Sequence, residues 1–177
     1  KGEVLAKKAG AETGVKTVVL NPCHIIGPWD THNWIQLFNH VKNETLPGIP
    51  PASGNFAWVR EVAKAHIAAV TKGDNLENYI LGGPHVTMLE LIQEIQLQLG
   101  KKLSTKTTPA FLLKAIEPVF RLQSFITKKE PILTPDKVRL LLKSFEANDS
   151  KARNQLGYAH KTVPEIVTKT LTWMETR

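Results

Sequence analysis

Two short apolar runs, separated by segments of helical periodicity, constrain the fold of this chain most strongly. The run VKTVVLNP (residues 15–22) is rich in β-branched residues and closes on a proline, and NYILGG (residues 78–83) has the same character. Both are typical of strands that are buried on both faces. A helical segment, residues 2–12, precedes the first run and ends at Gly14. Because neighbouring parallel strands need long connections, the alternation predicts a parallel α/β sheet.

Two helices and a loop are predicted between the runs. Asp30 or Thr31 can cap a helix that extends to about Val41. The proline- and glycine-rich stretch LPGIPPASGN, residues 46–55, is predicted to be a loop. The second helix covers residues 59–71, and its predicted apolar stripe consists of Val59, Val62, Ala63, His66 and Val70.

From Thr87 onward the pattern is mainly helical. In TMLE the Thr87 hydroxyl can accept from the Glu90 amide while the Glu90 carboxylate accepts from the Thr87 amide, which is a capping box. Thr162 and Glu165 form the same pattern near the carboxyl terminus. TPDKVRLLL predicts a further helix that begins after Thr134.

The formal net charge of +7 requires that nucleic-acid binding be considered. The lysines are scattered, and neither interleaved aromatic residues nor a known nucleic-acid-binding motif accompanies them. The clearest pairs are Lys7–Lys8, Lys101–Lys102 and Lys128–Lys129. A basic surface in contact with solvent explains these lysines, and we expect no nucleic-acid partner.

The sequence predicts a cytoplasmic protein without a membrane partner. No apolar run approaches the roughly 20 residues that a membrane-spanning helix needs, and no signal-peptide core follows the lysine-rich opening. The single cysteine, Cys23, cannot form an internal disulfide, in agreement with a reducing compartment.

Five motifs follow one another along nearly the whole chain: TVVLNPCHIIGPWD, NFAWVREVAKAHIAAV, NYILGG, PILTPDKVRLLL and SKARNQLGY. In this order they resemble the carboxy-terminal half of an extended short-chain dehydrogenase/reductase. The most similar group is the dihydroflavonol-reductase-like branch of the NAD-dependent epimerase/dehydratase family. The resemblance implies the carboxy-terminal part of a Rossmann-type parallel sheet over residues 1–83, with a substrate arch over about residues 23–58. A mostly helical substrate-binding cap is expected over residues 84–177.

The resemblance also implies a chemistry whose central residues this chain lacks. Such enzymes lay a dinucleotide on a glycine-rich turn and exchange a proton through a Tyr-x-x-x-Lys pair while the nicotinamide exchanges a hydride. Neither Tyr79 nor Tyr158 is followed four residues later by lysine. The opening KGEVLAKKAG resembles the stretch just after the catalytic lysine. We therefore expect a fragment without a catalytic residue of its own, which alone has no turnover and binds NAD or NADP weakly or not at all.

Two cofactor contacts are implied by the resemblance. The proline at Pro22 is expected to pack near the nicotinamide ring, and the backbone amide around Ile25 to hydrogen-bond the carboxamide. The alternative for Pro22 is a residue that only ends a strand.

Five substrate contacts are implied in the same way. They are Asn21, Trp29, Trp34, Asn55 and Trp58. Trp29 and Trp34 are candidate walls of the pocket, although a tryptophan on a helix face can equally belong to the core. Asn55 and Trp58 are expected to face the substrate side of the arch.

A metal site is not expected. His24, His32 and His40 are eight residues apart and Cys23 is adjacent to the first, but this spacing turns only partly round a helix. Pro28 also interrupts it.

The segment PAFLLKAIEPVFRLQSFI has apolar residues around most of its helical wheel, and Pro118 is expected to kink it. One hypothesis is a lid over an apolar substrate, such as a lipid-like, terpenoid or aromatic compound. The alternative is ordinary packing in the cap or a subunit contact.

Three functional hypotheses remain open. The first is the substrate-binding part of an NAD(P)-dependent reductase or epimerase/dehydratase that acts on a small molecule. The second is a non-catalytic dinucleotide-sensing or interaction module on the same scaffold, which a replaced Tyr-x-x-x-Lys pair upstream would favour. The third is a free-standing basic binding domain. Because two parallel strands alone leave open sheet edges, we also expect self-association.

Overall fold

The computed structural model describes residues 1–109, 111–112 and 144–176. The helices given by these residues are α1 (Gly2–Thr13), α2 (Ile35–Lys42), α3 (Val59–Lys72), α4 (Met88–Gln98), α5 (Ser150–Leu156) and α6 (Val163–Glu175). The strands are β1 (Val19–Pro22), β2 (His24–Ile26), β3 (Ser53–Trp58), β4 (Asn78–Leu81) and β5 (His85–Thr87). The helix predicted after Thr134 and the apolar segment around Pro118 lie outside the described residues. Within the described ranges, no helix has the length and apolar character needed to cross a bilayer.

The predicted parallel pair is confirmed. β1 and β4 form a two-stranded parallel sheet in which Val19 lies opposite Asn78 and Pro22 opposite Leu81. β1 begins later than the apolar run suggests, because the Thr17 amide donates to the Asn75 side chain at 2.8 Å instead of joining the ladder. The α/β architecture expected from the sequence is therefore present.

The structure contains a second sheet that the sequence analysis did not predict. The sequence analysis predicted two strands in all, and it predicted a loop over residues 46–55, where β3 begins. Its strand order is β2–β3–β5, and β2 runs parallel to β3, with His24 opposite Phe56 and Ile26 opposite Trp58. β2 and β5 have only three residues each, too few for an apolar period to be visible. β3 is buried from Gly54 to Trp58, so its residues do not alternate between polar and apolar.

The start of α2 also differs from the prediction. The helix begins at Ile35, not after Asp30 or Thr31. The Asp30 carboxylate accepts from the amides of His32, Asn33 and Ile35 at 3.1, 2.8 and 3.0 Å. Asp30 therefore organises a turn that precedes the helix.

The predicted apolar stripe of α3 is only partly correct. The helix residues that are buried are Glu61, Val62, Ala65 and Ala69. Ala63, His66 and Val70 are exposed instead. A hydrophobicity pattern cannot identify this face because it includes a carboxylate, that of Glu61, which pairs with Lys64 Nζ at 2.9 Å. His66 forms a hydrogen bond from Nδ1 to the Val62 carbonyl at 2.8 Å.

Both predicted capping boxes are confirmed. The Thr87 amide donates to the Glu90 carboxylate at 2.7 Å, and the Glu90 amide donates to the Thr87 hydroxyl at 3.1 Å. The corresponding distances for Thr162 and Glu165 are 2.9 and 3.4 Å. In the second box, the hydrogen bonds from Thr162 hold the pKa of Glu165 below its usual value.

The chain forms two compact units that alternate along the sequence. Unit 1 comprises Lys1–Ile35, Asn55–His85 and Glu146–Arg177, and unit 2 comprises Gln36–Gly54 and Val86–Phe145. Each unit thus contains residues from both sides of the division expected at residue 83. The core of unit 1 is a buried cluster made of Ala57, Val62, Ala65, Ala69, Tyr79, Leu81, Ala152, Leu156 and Tyr158.

We expect Gly83→Ala to destabilise the fold. A Cβ at Gly83 would lie 2.1 Å from the Phe56 carbonyl oxygen, so one of two hydrogen-bonded backbone segments would have to move. The free energy of unfolding should fall by about 1–3 kcal/mol, the usual range for overpacking. Gly2→Ala is the control, because nothing lies within 4 Å of its added Cβ. Urea titration of both variants checks the prediction, and equal stabilities would contradict it.

Candidate functional site

The carboxyl ends of β1 and β4 lie side by side in unit 1. Asn21 and Pro22, the last two residues of β1, are both exposed. The Cys23 amide donates to the Leu81 carbonyl at 3.0 Å, which extends the parallel pairing to the residue after β1. In open parallel sheets, ligands bind beyond the carboxyl ends of the strands. This edge, which we call the carboxyl edge, is therefore the candidate site.

Two buried side chains hold the backbone that follows β4. The Tyr158 hydroxyl donates to the Gly82 carbonyl at 2.6 Å, and Asn55 Nδ2 donates to the Gly83 carbonyl at 2.8 Å. Asn55 Oδ1 accepts from the Ala147 amide at 2.8 Å. One asparagine thus joins the residues after β4 to the segment that enters α5. Buried hydrogen bonds of this kind fix the strand end in one position.

Asp149 supplies the negative charge beneath the carboxyl edge. Its carboxylate is buried, accepts from Arg153 Nε at 3.0 Å and is hydrogen-bonded to His160 Nε2. Burial raises the pKa of Tyr158, and the charge of Asp149 raises it further. Tyr158 therefore keeps its proton and remains a donor to Gly82.

An aromatic group lies directly after β1. The His24 ring is 5.0 Å from the Trp34 ring and 5.2 Å from the Phe56 ring, and Trp34 meets Phe56 edge-on at 5.1 Å. Burial lowers the pKa of His24 below its usual value, so its imidazole is neutral at neutral pH. This group is an apolar surface that carries no charge under those conditions.

The chain then turns sharply through Gly27 and Trp29. Gly27 has φ 148°, and a Cβ there would lie 2.4 Å from Val59 Cγ1 and 2.9 Å from Trp58 Cζ3. Trp29 has φ 71°, which is strained for a residue with a side chain. Its indole is 84% exposed and lies 6.3 Å from the ring of Trp173. A bulky aromatic side chain is thus displayed at a backbone position that disfavours it.

Residues 1–82 match the model of the NAD-dependent epimerase/dehydratase family. The match covers a little less than half of the chain. Sterol demethylase protein B of Methylococcus capsulatus is 24% identical over 94% of the chain and 52% of its own length. The 3β-hydroxysteroid-dehydrogenase/decarboxylase isoform 1 of Arabidopsis thaliana is 26% identical over 89% of the chain and 40% of its own length.

A solved structure shares the fold of this chain. The crystal structure of the Bordetella bronchiseptica enzyme WbmF in complex with NAD⁺ has a TM-score of 0.68 and 16% identity, and the match covers 99% of this chain and 50% of WbmF. The parallel α/β architecture is therefore of the Rossmann type. The chain spans about half the length of the curated relatives that it matches.

The structure brings two of the predicted site residues to one cavity. Ile25 lies in the middle of β2, opposite Ala57, and is half-buried. It lines a cavity of about 310 Å³ together with Trp29 and Asp30. Trp34 belongs to the aromatic group described above, also in unit 1. The roles expected for these residues stay predictions.

Asn55 and Trp58 lie elsewhere. Asn55 lines a different cavity, of about 630 Å³, together with Gly83 and His160. Trp58 is only 3% exposed and packs beneath Gly27. The contacts observed for both side chains are with other parts of the protein. Their expected role in substrate binding stays a prediction.

Several residues of the carboxyl edge were not predicted from the sequence as functional. They are His24, Phe56, Gly83, Asp149 and Tyr158. One available signal was the glycine pair directly after a predicted strand, because glycine after a strand indicates close backbone approach. The contacts of Asp149 and Tyr158 join residues far apart in the chain, so no local pattern marks them.

In the part of the chain that the structure describes, no group of three or more His, Cys, Asp or Glu side chains is placed to hold a metal ion. His24, which follows Cys23 in the sequence, contacts the rings of Trp34 and Phe56. His40 forms a hydrogen bond to the Thr45 hydroxyl at 2.9 Å.

We expect His24 to make the protein less stable as the pH falls. Because its pKa is lower in the folded chain than in the unfolded chain, the unfolded state takes up the proton first, and stability is lost as the pH falls from above the unfolded pKa through the folded one. His24→Phe keeps an aromatic ring beside Trp34 and Phe56. Between about pH 7.5 and 5.5, an interval that contains the usual histidine pKa, its free energy of unfolding should fall less than that of the wild type.

The measurement is urea unfolding of both proteins at the two pH values. His24→Gln is the second variant: it removes both the ring and the titrating group, and should show the same weak pH dependence at lower overall stability. If wild type and His24→Phe lose equal stability on acidification, the pH effect does not come from His24.

Proposed function

We propose that this chain is the carboxy-terminal, substrate-binding part of an NAD(P)-dependent oxidoreductase or epimerase/dehydratase. The observation that carries the proposal is the exposed carboxyl edge of β1 and β4, which lies within the residues matched by the family model. The reaction class is reduction of a carbonyl or oxidation of an alcohol by hydride transfer. Bound NAD or NADP supplies the hydride chemistry at its nicotinamide ring.

The residues at the carboxyl edge fit a nicotinamide ring. Pro22 exposes an apolar ring that has no backbone N–H to satisfy, and Asn21 exposes a side-chain amide beside it. A flat apolar surface suits a planar ring, and an exposed amide at the same strand end can hydrogen-bond a polar group of the ligand. In this proposal Pro22 positions the ring, the backbone near Ile25 hydrogen-bonds the carboxamide, and Asn21 orients the substrate oxygen.

The aromatic group supports an apolar substrate. Trp34, His24 and Phe56 form a surface that is uncharged at neutral pH. The names of the two relatives refer to sterols and 3β-hydroxysteroids. We infer that the substrate is a fused-ring alcohol or ketone of the sterol class, with its apolar skeleton against Trp34.

Neither tyrosine of the chain fits the role of proton donor to a substrate. Tyr79 is fully buried, and its hydroxyl accepts from the Asp74 amide at 2.9 Å. Tyr158 donates to Gly82, and its raised pKa opposes the ionised form that a catalytic tyrosine needs. In the proposed enzyme, the acid/base pair therefore comes from residues outside this chain.

The test compares the chain alone with the protein encoded by the whole reading frame of its gene. Oxidation of a 3β-hydroxysterol is followed by the absorbance of the reduced nicotinamide. We expect turnover by the whole protein and none by the chain alone. Trp34→Ala in the whole protein should raise KM for the sterol by about tenfold or more, since loss of apolar contact area costs on the order of 1–3 kcal/mol.

Ile67→Ala is the matched control, because Ile67 is an apolar side chain that is 74% exposed on α3. It should leave KM close to the wild-type value. Dinucleotide binding by the whole protein without turnover on any alcohol or ketone would favour a dinucleotide-sensing module instead. Micromolar dinucleotide binding by the chain alone would contradict the division of roles proposed above.

We propose further that the isolated chain associates with a second copy. The two-stranded sheet leaves one edge of β1 without a strand among the described residues. A partly apolar groove of about 400 Å³ lies next to it, and its lining residues are Lys16, Val18, Leu20, His66, Ala69 and Val70. Val70 is 73% exposed. An open strand edge beside a partly apolar groove favours pairing between chains.

Sedimentation velocity tests this association. We expect the sedimentation coefficient of the isolated chain to rise with concentration, and Val70→Lys to shift the equilibrium toward monomer because it places a charge in the groove. Thr71→Lys adds the same charge at the next, exposed position and is the control. A wild-type chain that stays monomeric over the whole concentration range contradicts the proposal.

A further inference from the structure

A separate cavity of about 410 Å³ lies within unit 2, between the loop after α2 and the segment after α4. Its apolar wall contains Val41 and Ile49, which are both buried. Its polar wall combines lysines with hydroxyl side chains, and these residues are Lys101, Lys102, Ser104, Lys106 and Thr108. Neither the family match over residues 1–82 nor the carboxyl edge includes this polar wall.

The charges of the cavity do not balance. Among the described residues that line it, the one acid is Glu44. This carboxylate accepts from Lys101 Nζ at 2.7 Å, and the contact lowers the pKa of the Glu44 carboxyl. Glu44 therefore neutralises one lysine of three. Lys102 and Lys106 have no acidic partner within the described ranges. Two exposed lysines of the lining thus have no counter-charge from that part of the chain.

The two hydroxyl groups in the wall are oriented by bonds that they accept. Gln96 Nε2 donates to the Ser104 hydroxyl at 2.9 Å, and the Ile49 amide donates to the Thr108 hydroxyl at 2.9 Å. A hydroxyl that already accepts still has its own hydrogen to donate. Gln96 is itself buried and also accepts from the Ser104 amide at 2.8 Å, which fixes this side of the wall.

The Thr108 side chain is held tightly against the loop after α2. A Cβ at Gly48 would lie 2.5 Å from Thr108 Oγ1, so the loop backbone is in close contact with this hydroxyl. The Thr108 amide donates to the Ile49 carbonyl at 2.7 Å. The hydroxyl donor therefore belongs to a preformed wall, and its position does not depend on a bound ligand.

We propose that this cavity binds an oxyanion of the phosphate class, as part of a phosphate ester or a diphosphate. Two ammonium groups and two hydroxyl donors match an anion with several acceptor oxygens better than a carboxylate, which offers two. Charge-assisted hydrogen bonds from lysine supply most of the attraction. The buried side chains of Val41 and Ile49 contact the organic part of the ligand.

Inorganic phosphate, diphosphate and acetate are the probes, each titrated at constant ionic strength into the isotope-labelled chain. We expect phosphate and diphosphate to shift the amide resonances of Ile49 and Ser104, because each amide is bonded to a group in the wall. The Lys102→Gln/Lys106→Gln variant should raise the dissociation constant at least about tenfold, as loss of charge-assisted hydrogen bonds predicts. Acetate should bind more weakly than phosphate.

The control is Lys8→Gln/Lys169→Gln, which removes two exposed lysines of unit 1 and should leave phosphate affinity unchanged. Thr108→Val should weaken binding, and Thr108→Ser should restore it, which separates the hydroxyl from the shape of the side chain. The proposal is overturned if phosphate leaves both amides unshifted. It is equally overturned if the two double variants bind phosphate alike, or if acetate binds as tightly as phosphate.

Discussion

The close approach of Gly83 to β3 is the constraint on which the carboxyl edge depends. The Phe56 amide donates to the Pro84 carbonyl at 3.1 Å, and the Gly83 backbone lies so near Phe56 that no side chain fits there. At the same place Asn55 Nδ2 donates to the Gly83 carbonyl at 2.8 Å. The β1–β4 pair and β3, which belong to different sheets, are thereby joined at the end where parallel strands present ligand-binding residues.

Local patterns accounted for the parts of the fold that depend on residues close in sequence. The capping box of Thr87 and Glu90 is such a case, since two side chains three residues apart determine where α4 begins. β2 is the opposite case. Its three residues pair with β3 about thirty positions later, and their sequence carries no period that distinguishes a strand from a loop. Such strands form because a partner is present, so their prediction needs tertiary information.

The predicted site residues show that the exposure of a side chain also depends on tertiary contacts. Trp29, Trp34 and Trp58 are chemically identical, yet Trp29 is 84% exposed and Trp58 only 3%. The difference comes from Gly27, which lets the chain turn while Trp58 packs beneath it. The resemblance to a family indicated a region of the chain for a site. It could not indicate which indole faces outward, because that depends on contacts specific to this sequence.

Three titratable groups near the carboxyl edge share one property. Burial raises the pKa of Cys23 and of Tyr158 and lowers that of His24, so each shift favours the uncharged form. The Asp149 carboxylate is hydrogen-bonded to Arg153 and His160. The edge therefore combines fixed hydrogen-bond donors with neutral, apolar side chains.

This character of the carboxyl edge favours a neutral ligand. A neutral fused-ring substrate would lose little hydration on entering these surroundings, whereas an anionic substrate would find no counter-charge at His24. The cavity of unit 2 that is lined by Lys101, Lys102 and Lys106 is basic instead. For this reason we propose a phosphate-class ligand for that cavity and an apolar alcohol or ketone for the carboxyl edge.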